Sequence, residues 1–463
     1  MFRISTTGVK QGLRRIKINA EDNSIWRRFR RNVSISVLGS VLSLAIKLVQ
    51  TALLTRLLKI DDYGRVLIVT NLFVFLDSFF GLRVNDVLFR FFQPLKEQGD
   101  NLFLKGLLLF CLGISLASGL LICIGVLILS PWLADRIYPS LGLGPLFNIY
   151  GGTVLVSAFS GFYEPILRIH DRFTSIVVPQ VLGSLVTLSI LCAYFANSDG
   201  YNLKFIIAAF AVGVLVQSVP PLVQALRVVK PFLANGNAKS AAQALAKYRP
   251  ELVRCLLNSN LSGYLRIGIN PGDLFFLGLF SSPTQVALYG LGKQLTAPLS
   301  LLTTNTQTAI TPEITSLVAK RKFEQLKRLL GRYVASALAL SILLLISAFL
   351  LGRALLFGLF QPEYADALPV FYILITVVGM QLIFLVFRPL AVSLDLLKWH
   401  NLGLLLSSSV MVIFALAGVL NAFSMACIQL ADTLIVRVLF NVLVWMRLKR
   451  LTEKRENEVL GTG

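Results

Sequence analysis

Residues 33–58 read VSISVLGSVLSLAIKLVQTALLTRLL, a long apolar run that contains only two charged side chains. A helix needs about 20 mostly apolar residues to cross the hydrocarbon core of a bilayer. A secretory signal peptide also has an apolar region after a basic segment. This apolar run is too long for a signal peptide, and no small-residue cleavage site follows it. We therefore expect the run to remain in the protein as the first membrane span.

Similar blocks recur along the 463 residues, of which 56% are hydrophobic and only 14% are charged. Soluble domains carry about 25% charged residues, so water is not the main solvent here. Only helices and closed barrels satisfy the backbone in lipid, and the sequence lacks the alternating strands of a barrel. We expect an all-α integral membrane protein with about 12 transmembrane helices, near residues 33–58, 66–89, 103–129, 146–167, 174–195, 203–226, 252–280, 286–310, 333–356, 369–391, 401–420 and 424–446.

The distribution of basic residues predicts the orientation. Of the 44 Lys and Arg residues, 33 lie in the two tails, in alternate gaps between spans or within four residues of those gaps, and six lie in the other gaps or within four residues of them. This positive-inside pattern predicts that both termini face the cytoplasm. A net charge of +21 is also typical of nucleic-acid binding, but that function needs a continuous basic face. We therefore expect no nucleic-acid partner.

A polar segment divides the predicted spans into two groups of six. Two parallel six-span repeats would be related by an axis along the membrane normal. The basic N-terminal tail either lies on the anionic inner leaflet or is solvated. The predicted order is basic cytoplasmic tail, N-lobe, cytoplasmic linker, C-lobe and cytoplasmic tail, at residues 1–32, 33–226, 227–250, 251–446 and 447–463.

Lys47 is the most informative charge inside a predicted span. An ionisable side chain at the centre of a membrane helix costs about 2.5 kcal/mol or more on insertion scales. Lys47 lies fourteen residues into the first span, about 20 Å along the helix, so its ammonium should not reach either interface. It either lines a central cavity and binds an anionic group, or it pairs with Asp77 of the second span. Asp77 is accordingly a proton site or the partner of Lys47.

The seventh predicted span contains Arg266 and Asp273, which lie seven residues apart and so share one helical face. Residues 268–272 (GINPG) interrupt the helix between them, and broken helices that line cavities are typical of transporter sites. The alternative is a kinked helix whose charges are satisfied by neighbouring spans. Lys293 in the eighth span either lines the cavity or extends to the interface. Arg83 starts a possible ion-pair ladder near the cytoplasmic end of span two.

Motifs of enzymes and metal sites are missing from the sequence. It contains no GxxxxGK[ST], GxGxxG or HExxH, its two histidines are far apart, and its five cysteines form no CxxC pair. We therefore expect no cofactor and no metal. The loops predicted outside are short, which argues against a membrane-embedded glycan polymerase or ligase. A purely structural scaffold would not need a buried lysine or a broken span.

Several stretches carry a resemblance to a known family. Residues 53–64 (LLTRLLKIDDYG) resemble an ARLLGPEEYG-like run that ends the first span of polysaccharide and O-antigen flippases, and residues 77–91 resemble the second span of that family. Residues 273–278 (DLFFLG), with 287–289 (ALY), are similar to its DrlllG…vGlY pattern, and Pro312-Glu313 fits the end of its eighth span. The chain thus resembles the lipid-linked oligosaccharide flippases of the multidrug/oligosaccharidyl-lipid/polysaccharide transporter superfamily.

This resemblance implies a V-shaped pair of six-helix lobes around a central cavity, working by alternating access and without enzyme activity. It implies that polyprenyl-diphosphate-linked oligosaccharide moves from the inner to the outer leaflet of a bacterial cell (inner) membrane, as in O-antigen and lipopolysaccharide synthesis. A polysaccharide polymerase and chain-length machinery are the partners it suggests. The nearest alternative is a multidrug or small-metabolite exporter of the same superfamily.

The expected site follows from combining the buried charges with this resemblance. Lys47 and Arg266 would bind the diphosphate from opposite lobes, assisted by Lys293 and Arg83. Two acids, Asp77 and Asp273, would balance charge or carry a coupling proton.

Overall fold

The structure, a computed structural model, is helical throughout the residues it describes, and no strand occurs among them. These residues are 34–82, 84–132, 142–198, 200–234, 237–267, 272–319, 322–386, 409–414 and 417–435, with a few isolated positions. The first eight helices are α1 Ser34–Leu57, α2 Ile60–Phe80, α3 Val84–Gln98, α4 Asn101–Trp132, α5 Gly144–Gly151, α6 Val154–Ser157, α7 Ser160–Ile169 and α8 Thr174–Asn197. The next seven are α9 Leu203–Ala234, α10 Ala238–Ile267, α11 Asp273–Phe280, α12 Pro283–Ala319, α13 Phe323–Leu359, α14 Ala367–Ile383 and α15 Ala422–Asp432.

The all-helical membrane architecture predicted from hydropathy is confirmed. Six helices in the described ranges are long and apolar enough to cross a bilayer, namely α1, α2, α4, α8, α9 and α13. The apolar helices α14 and α15 are shorter. Eight residues of the predicted span 401–420, residues 436–445 of the last span and nearly all of both tails lie outside the described residues.

The second predicted span is two helices rather than one. Helix α2 ends at Phe80, and the Gly81 N–H donates to the Asp77 carbonyl at 2.7 Å. Gly81 adopts an extended conformation, so the chain leaves the helix at this residue. A side chain would not fit here, because its Cβ would collide with the Asp77 carbonyl oxygen. The following helix α3 buries Val87 and Leu88 against α4 and α7, while Arg90 is exposed. The predicted boundary 66–89 is therefore wrong, since the glycine ends the helix that hydropathy alone would extend.

The predicted linker 227–250 is also helical over nearly all of its described length. Helix α9 continues to Ala234 and α10 begins at Ala238, where an Ala-rich stretch favours helix. Helix α10 packs against α4, and a Cβ on Gly106 would lie 2.5 Å from the Ala241 carbonyl oxygen. The Tyr248 ring lies 4.6 Å from that of Phe103. The segment is thus docked on the N-terminal half and does not cross freely between the halves.

The two halves of the chain meet along α2, which packs against α11 and α12. Phe75 of α2 stacks on Phe275 of α11, with ring centroids 4.1 Å apart and an interplanar angle of 15°. The largest hydrophobic cluster contains residues of both halves, such as Val69 and Leu277. We use the term connector end for the end of the bundle where α1 joins α2, α8 joins α9, α11 joins α12 and α13 joins α14.

Candidate functional site

A cavity of about 400 Å³ opens between helices of the N-terminal half and α12 of the C-terminal half. Its volume is within the range of pockets that bind small molecules. Lys47 lines it, and no carboxylate does so among the described residues. The other polar side chains of its wall are uncharged and comprise Gln50, Thr51, Tyr63, Thr70, Asn71, Tyr150, Ser184, Thr187, Gln217 and Gln294.

Lys47 is held deep in the bundle by its neighbours on α1. It precedes the end of that helix, Leu57, by ten residues, a rise of about 15 Å from the connector end. Gln50, almost one turn further on, is buried and donates to the Ser184 carbonyl of α8 at 2.6 Å. The lysine side chain itself is exposed to the cavity. Within the described part of the chain, its ammonium has no hydrogen bond and no ion pair.

The ion pair between Lys47 and Asp77 that the sequence suggested does not form. Both residues are described, and no ion pair joins them. Asp77 lies seventeen residues from the start of α2 at the connector end, about 25 Å along the helix axis. Lys47 lies only about 15 Å from that end, so the two groups are offset by about 10 Å. Asn71, eleven residues into α2, is level with Lys47 instead.

The second buried charge cluster belongs to the C-terminal half. Asp273 begins α11 and is fully buried. Its carboxylate accepts hydrogen bonds from the Lys293 ammonium at 2.7 and 2.8 Å, from the Tyr289 hydroxyl at 2.7 Å and from the Gln429 amide at 3.3 Å. We call these four residues the Asp273 cluster. Its buried acid is paired and fully bonded, which is the condition under which a buried charge is tolerated.

Lys293 and Gln294 are consecutive residues of α12 that serve different sites. Lys293 bonds Asp273, whereas Gln294 lines the cavity beside Lys47. Helix α12 therefore separates the two polar sites and contacts both. Two of the predicted cations cannot be placed in either site, since Arg83 and the Arg266 side chain, with residues 268–271, lie outside the described residues.

Sequence reasoning missed the amides of the cavity. Gln217 of α9 and Gln294 of α12 lie within predicted spans but were not singled out, because uncharged amides are less unusual in membrane helices than charges are. For a third amide of the lining, Asn71, the order of residues along the chain does carry a signal. Two antiparallel helices place residues at equal distances from their turn side by side, and Lys47 and Asn71 are nearly equidistant from the α1–α2 turn.

Hydrogen bonds close the connector end between the two halves. Arg56 donates through Nε to the Leu359 carbonyl at 2.8 Å and through Nη2 to the Gly358 carbonyl at 2.5 Å. In return, the Gln361 amide donates to the Arg56 carbonyl at 2.8 Å. We call this reciprocal set the Arg56 clasp. It ties the end of α1 to the end of α13, more than 300 positions later in the chain.

Close packing at the same end adds to the clasp. Asp61 accepts a hydrogen bond from Thr284, so the start of α2 is joined to the start of α12. One turn on, a Cβ on Gly64 would collide with the Pro283 carbonyl oxygen. The connector end is therefore closed, and a ligand would reach the cavity from elsewhere than this end.

Comparison with known proteins identifies the family. The family described as polysaccharide biosynthesis protein matches residues 29–318, which is more than half of the chain. The chain belongs to this family. No curated protein matches the sequence.

Solved structures share the fold over nearly the whole chain. An inward-facing multidrug resistance MATE family transporter of the MOP superfamily has a TM-score of 0.68 at 14% identity, covering 89% of this chain and 96% of that one. An outward-facing structure of such a transporter has a TM-score of 0.52 at 15% identity, and the match covers 91% of this chain and 96% of that one. A MOP superfamily transporter from Pyrococcus furiosus, described by a reverse polarity of its binding pocket, gives 0.56 at 13% identity, with 91% and 96% covered. The chain is therefore a multi-pass membrane protein of the polysaccharide biosynthesis family, and it shares its fold with transporters of the MOP superfamily.

Proposed function

We propose that this transporter carries polyprenyl-diphosphate-linked oligosaccharide from the inner to the outer leaflet of a bacterial inner membrane. The observation that carries the proposal is Lys47, a cation without a partner in a cavity whose described lining has no carboxylate. An unpaired ammonium in a low-dielectric site is unfavourable, so an anionic ligand has much to gain there. The polysaccharide biosynthesis family makes a diphosphate-linked glycan the natural anion.

The proposed roles follow from position. Lys47 binds the diphosphate, while the sugars occupy the cavity and the prenyl chain stays in lipid. Asp273 balances the charge of Lys293, and protonation of this acid is a means of coupling transport to an ion gradient. Arg266, Arg83 and Asp77 stay in the proposal as further contacts of the diphosphate or of a coupling proton.

The closed connector end supports the proposed direction of transport. The excess of Lys and Arg predicts that both termini, and thus the opposite end of the bundle, face the cytoplasm. In this conformation the cavity would load from the inner leaflet, and breaking the Arg56 clasp would expose it to the outer side. Substrate drives the change only if it binds the two conformations with different affinity. A polysaccharide polymerase and chain-length proteins would take up the product.

A second candidate is export of a small molecule. The shared fold with multidrug transporters favours it, and the protein is then still a transporter and not an enzyme. A cationic drug would meet Lys47 with no acid beside it in the described lining of the cavity, so this candidate fits only an anionic or neutral substrate.

Translocation of a fluorescent polyprenyl-diphosphate oligosaccharide in proteoliposomes tests the proposal. Native protein should move the lipid, and Lys47→Ala should lose at least about 90% of the rate, since a hydrogen bond to a charged group contributes roughly 1.5–3 kcal/mol. Lys204→Ala is the matched control, because Lys204 is exposed at the start of α9 and is not part of the cavity lining. Full activity of Lys47→Ala would refute the assignment, and movement of no glycolipid by folded protein would favour the small-molecule exporter.

A further inference from the structure

Two amide side chains at the cavity have free polar ends, in addition to Lys47. Gln217 and Gln294 line it, both are half-buried, and neither has a hydrogen-bond partner within the described ranges. A buried or half-buried amide left unsatisfied is unusual, because native proteins bond nearly all such groups. Lys47 and the two amides come from α1, α9 and α12, so these three groups converge from different helices and from both halves of the chain.

Most other polar groups of the lining are already satisfied by main-chain atoms. Gln50 donates to the Ser184 carbonyl, and Asn71 donates to the Leu67 carbonyl at 2.9 Å. The Thr70 hydroxyl donates to Val66 at 2.9 Å. The Gln50 bond joins α1 to α8, and the other two bonds lie within α2. Gln217 and Gln294 are thus distinguished by their unused donors and acceptors, and not merely by being polar.

The packing of α8 on α9 fixes the position of Gln217. A Cβ on Gly183 would lie 2.5 Å from the Gly213 carbonyl oxygen and 3.0 Å from Cβ of Gln217. The absence of a side chain at Gly183 therefore lets α9 approach, and it places Gln217 beside α8 at the cavity wall. A rigid backbone under an unbonded amide is what a preformed binding group requires.

Gln294 reaches the cavity from the other half of the chain. It lies eleven residues into α12, about 16 Å from the connector end and so level with Lys47. Its neighbour Lys293 is held by Asp273, which restrains this turn of α12. The single side chain that the C-terminal half adds to the described lining is thus an amide and not a charge.

We infer that Gln217 and Gln294 bind hydroxyl or acetamido groups of the first sugar while Lys47 binds the adjacent diphosphate. An amide offers both an acceptor and two donors, which matches sugar substituents better than phosphate oxygens, which only accept. The inference rests on the proposed function and assigns separate side chains to the two parts of the substrate. Because Gln217 and Gln294 belong to different halves of the chain, the sugar contact depends on both halves. Separation of α12 from α9 would therefore release the sugar.

Binding of two matched probes to the full-length protein in detergent tests this assignment. One probe is a short-chain polyprenyl diphosphate, and the other carries one N-acetylhexosamine on the same diphosphate. Gln217→Leu and Gln294→Leu should each weaken binding of the glycosylated probe about threefold to tenfold, the effect of losing one neutral hydrogen bond, and leave binding of the bare diphosphate unchanged. Lys47→Gln should weaken binding of both probes equally. Thr70→Val is the cavity control, because that hydroxyl is bonded to its own helix.

The outcomes separate the two proposals. If the glutamine variants bound both probes equally weakly, or bound both as well as the native protein does, the sugar assignment would be overturned. Binding of the bare diphosphate by the native protein would still support the proposed function. Failure of folded native protein to bind either probe would overturn both. Melting temperatures of the leucine variants close to the native value would show that the changes in binding are not losses of structure.

Discussion

Lys47 and Lys293 occupy matching positions in the two halves of the molecule but have opposite surroundings. Each lies ten residues from its helix end at the connector end, Lys47 in α1 and Lys293 in α12. Lys293 is bonded to the buried Asp273, whereas Lys47 faces a cavity without a partner in the described chain. Equal depth in the membrane therefore does not decide the role of a charge. The neighbouring acid decides it, since a satisfied lysine stabilises structure and an unsatisfied one is available to a ligand.

The largest effect is expected from removing the acid of the paired lysine. Asp273→Ala leaves the Lys293 ammonium without its counter-charge and should cost roughly 3 kcal/mol of unfolding free energy. This is the low end of the usual range because about a third of the Lys293 side chain, 34%, is exposed. Thermal unfolding in detergent measures the change.

Two further variants make the comparison of the lysines decisive. The double variant Asp273→Leu with Lys293→Met should recover most of the lost stability, because an apolar pair can replace a buried ion pair. Lys47→Met should unfold at or above the native temperature, since it removes a charge that has no partner. Equal destabilisation by Lys47→Met and Asp273→Ala would show that the two lysines do not differ as described.

An intermediate effect is expected at the contact that brings the two halves together. Gly64→Ala puts a methyl group against the Pro283 carbonyl, and overpacking of this kind costs about 1–3 kcal/mol. The population should shift towards a conformation open at the connector end. Faster hydrogen–deuterium exchange in peptides covering residues 56–64 and 281–285 would report it. Gly125→Ala is the matched control, because a Cβ at that helical glycine meets nothing within 4 Å.

The smallest effect concerns a third ionisable group, His170, which lies between α7 and α8. Burial lowers its pKa, and Lys96 and Arg172 add to this; the hydrogen bond to Ile166 and the Asp171 carboxylate raise the pKa, but the net shift is downwards. The folded protein therefore favours the neutral imidazole, whose Nδ1–H donates to the Ile166 carbonyl at 2.8 Å. Because the unfolded chain binds the proton more readily, stability should fall as the pH drops below about 6.5, the ordinary histidine pKa. Melting temperatures between pH 8 and 5.5 should depend less on pH in His170→Gln; an unchanged dependence would contradict this account.

Hydropathy was sufficient for the helical spans because the bilayer leaves the backbone few alternatives. It failed at Gly81, where one residue without a side chain ends α2, and at residues 238–250, where Ala-rich composition makes a helix of a polar segment. Both errors arise because hydropathy averages over a window, whereas a helix boundary depends on single residues.

The site was predictable only in part. Lys47 stands out in the sequence because a charge in a span is rare. The Lys47–Asp77 pair was proposed without regard to depth, whereas counting from the α1–α2 turn places Asn71 level with Lys47. The same count from the α11–α12 turn places Asp273 seven residues before Phe280 and Lys293 ten residues after Pro283, an offset of about 4.5 Å along the helix axis. Gln217 and Gln294 carry no such signal, because their importance lies in having no partner, which only three-dimensional packing reveals.

The Arg56 clasp has a consequence for how this protein can diverge. The acceptors of the guanidinium are the main-chain carbonyls of Gly358 and Leu359, and a Cβ at Gly358 would meet nothing within 4 Å. Mutations at these two positions keep the acceptors, so the two guanidinium bonds of the clasp tolerate substitution on the α13 side and depend on the Arg56 side chain alone on the other. Among homologues, Arg56 should therefore be restricted without any covarying partner, and methods that infer contacts from correlated substitutions would miss this one.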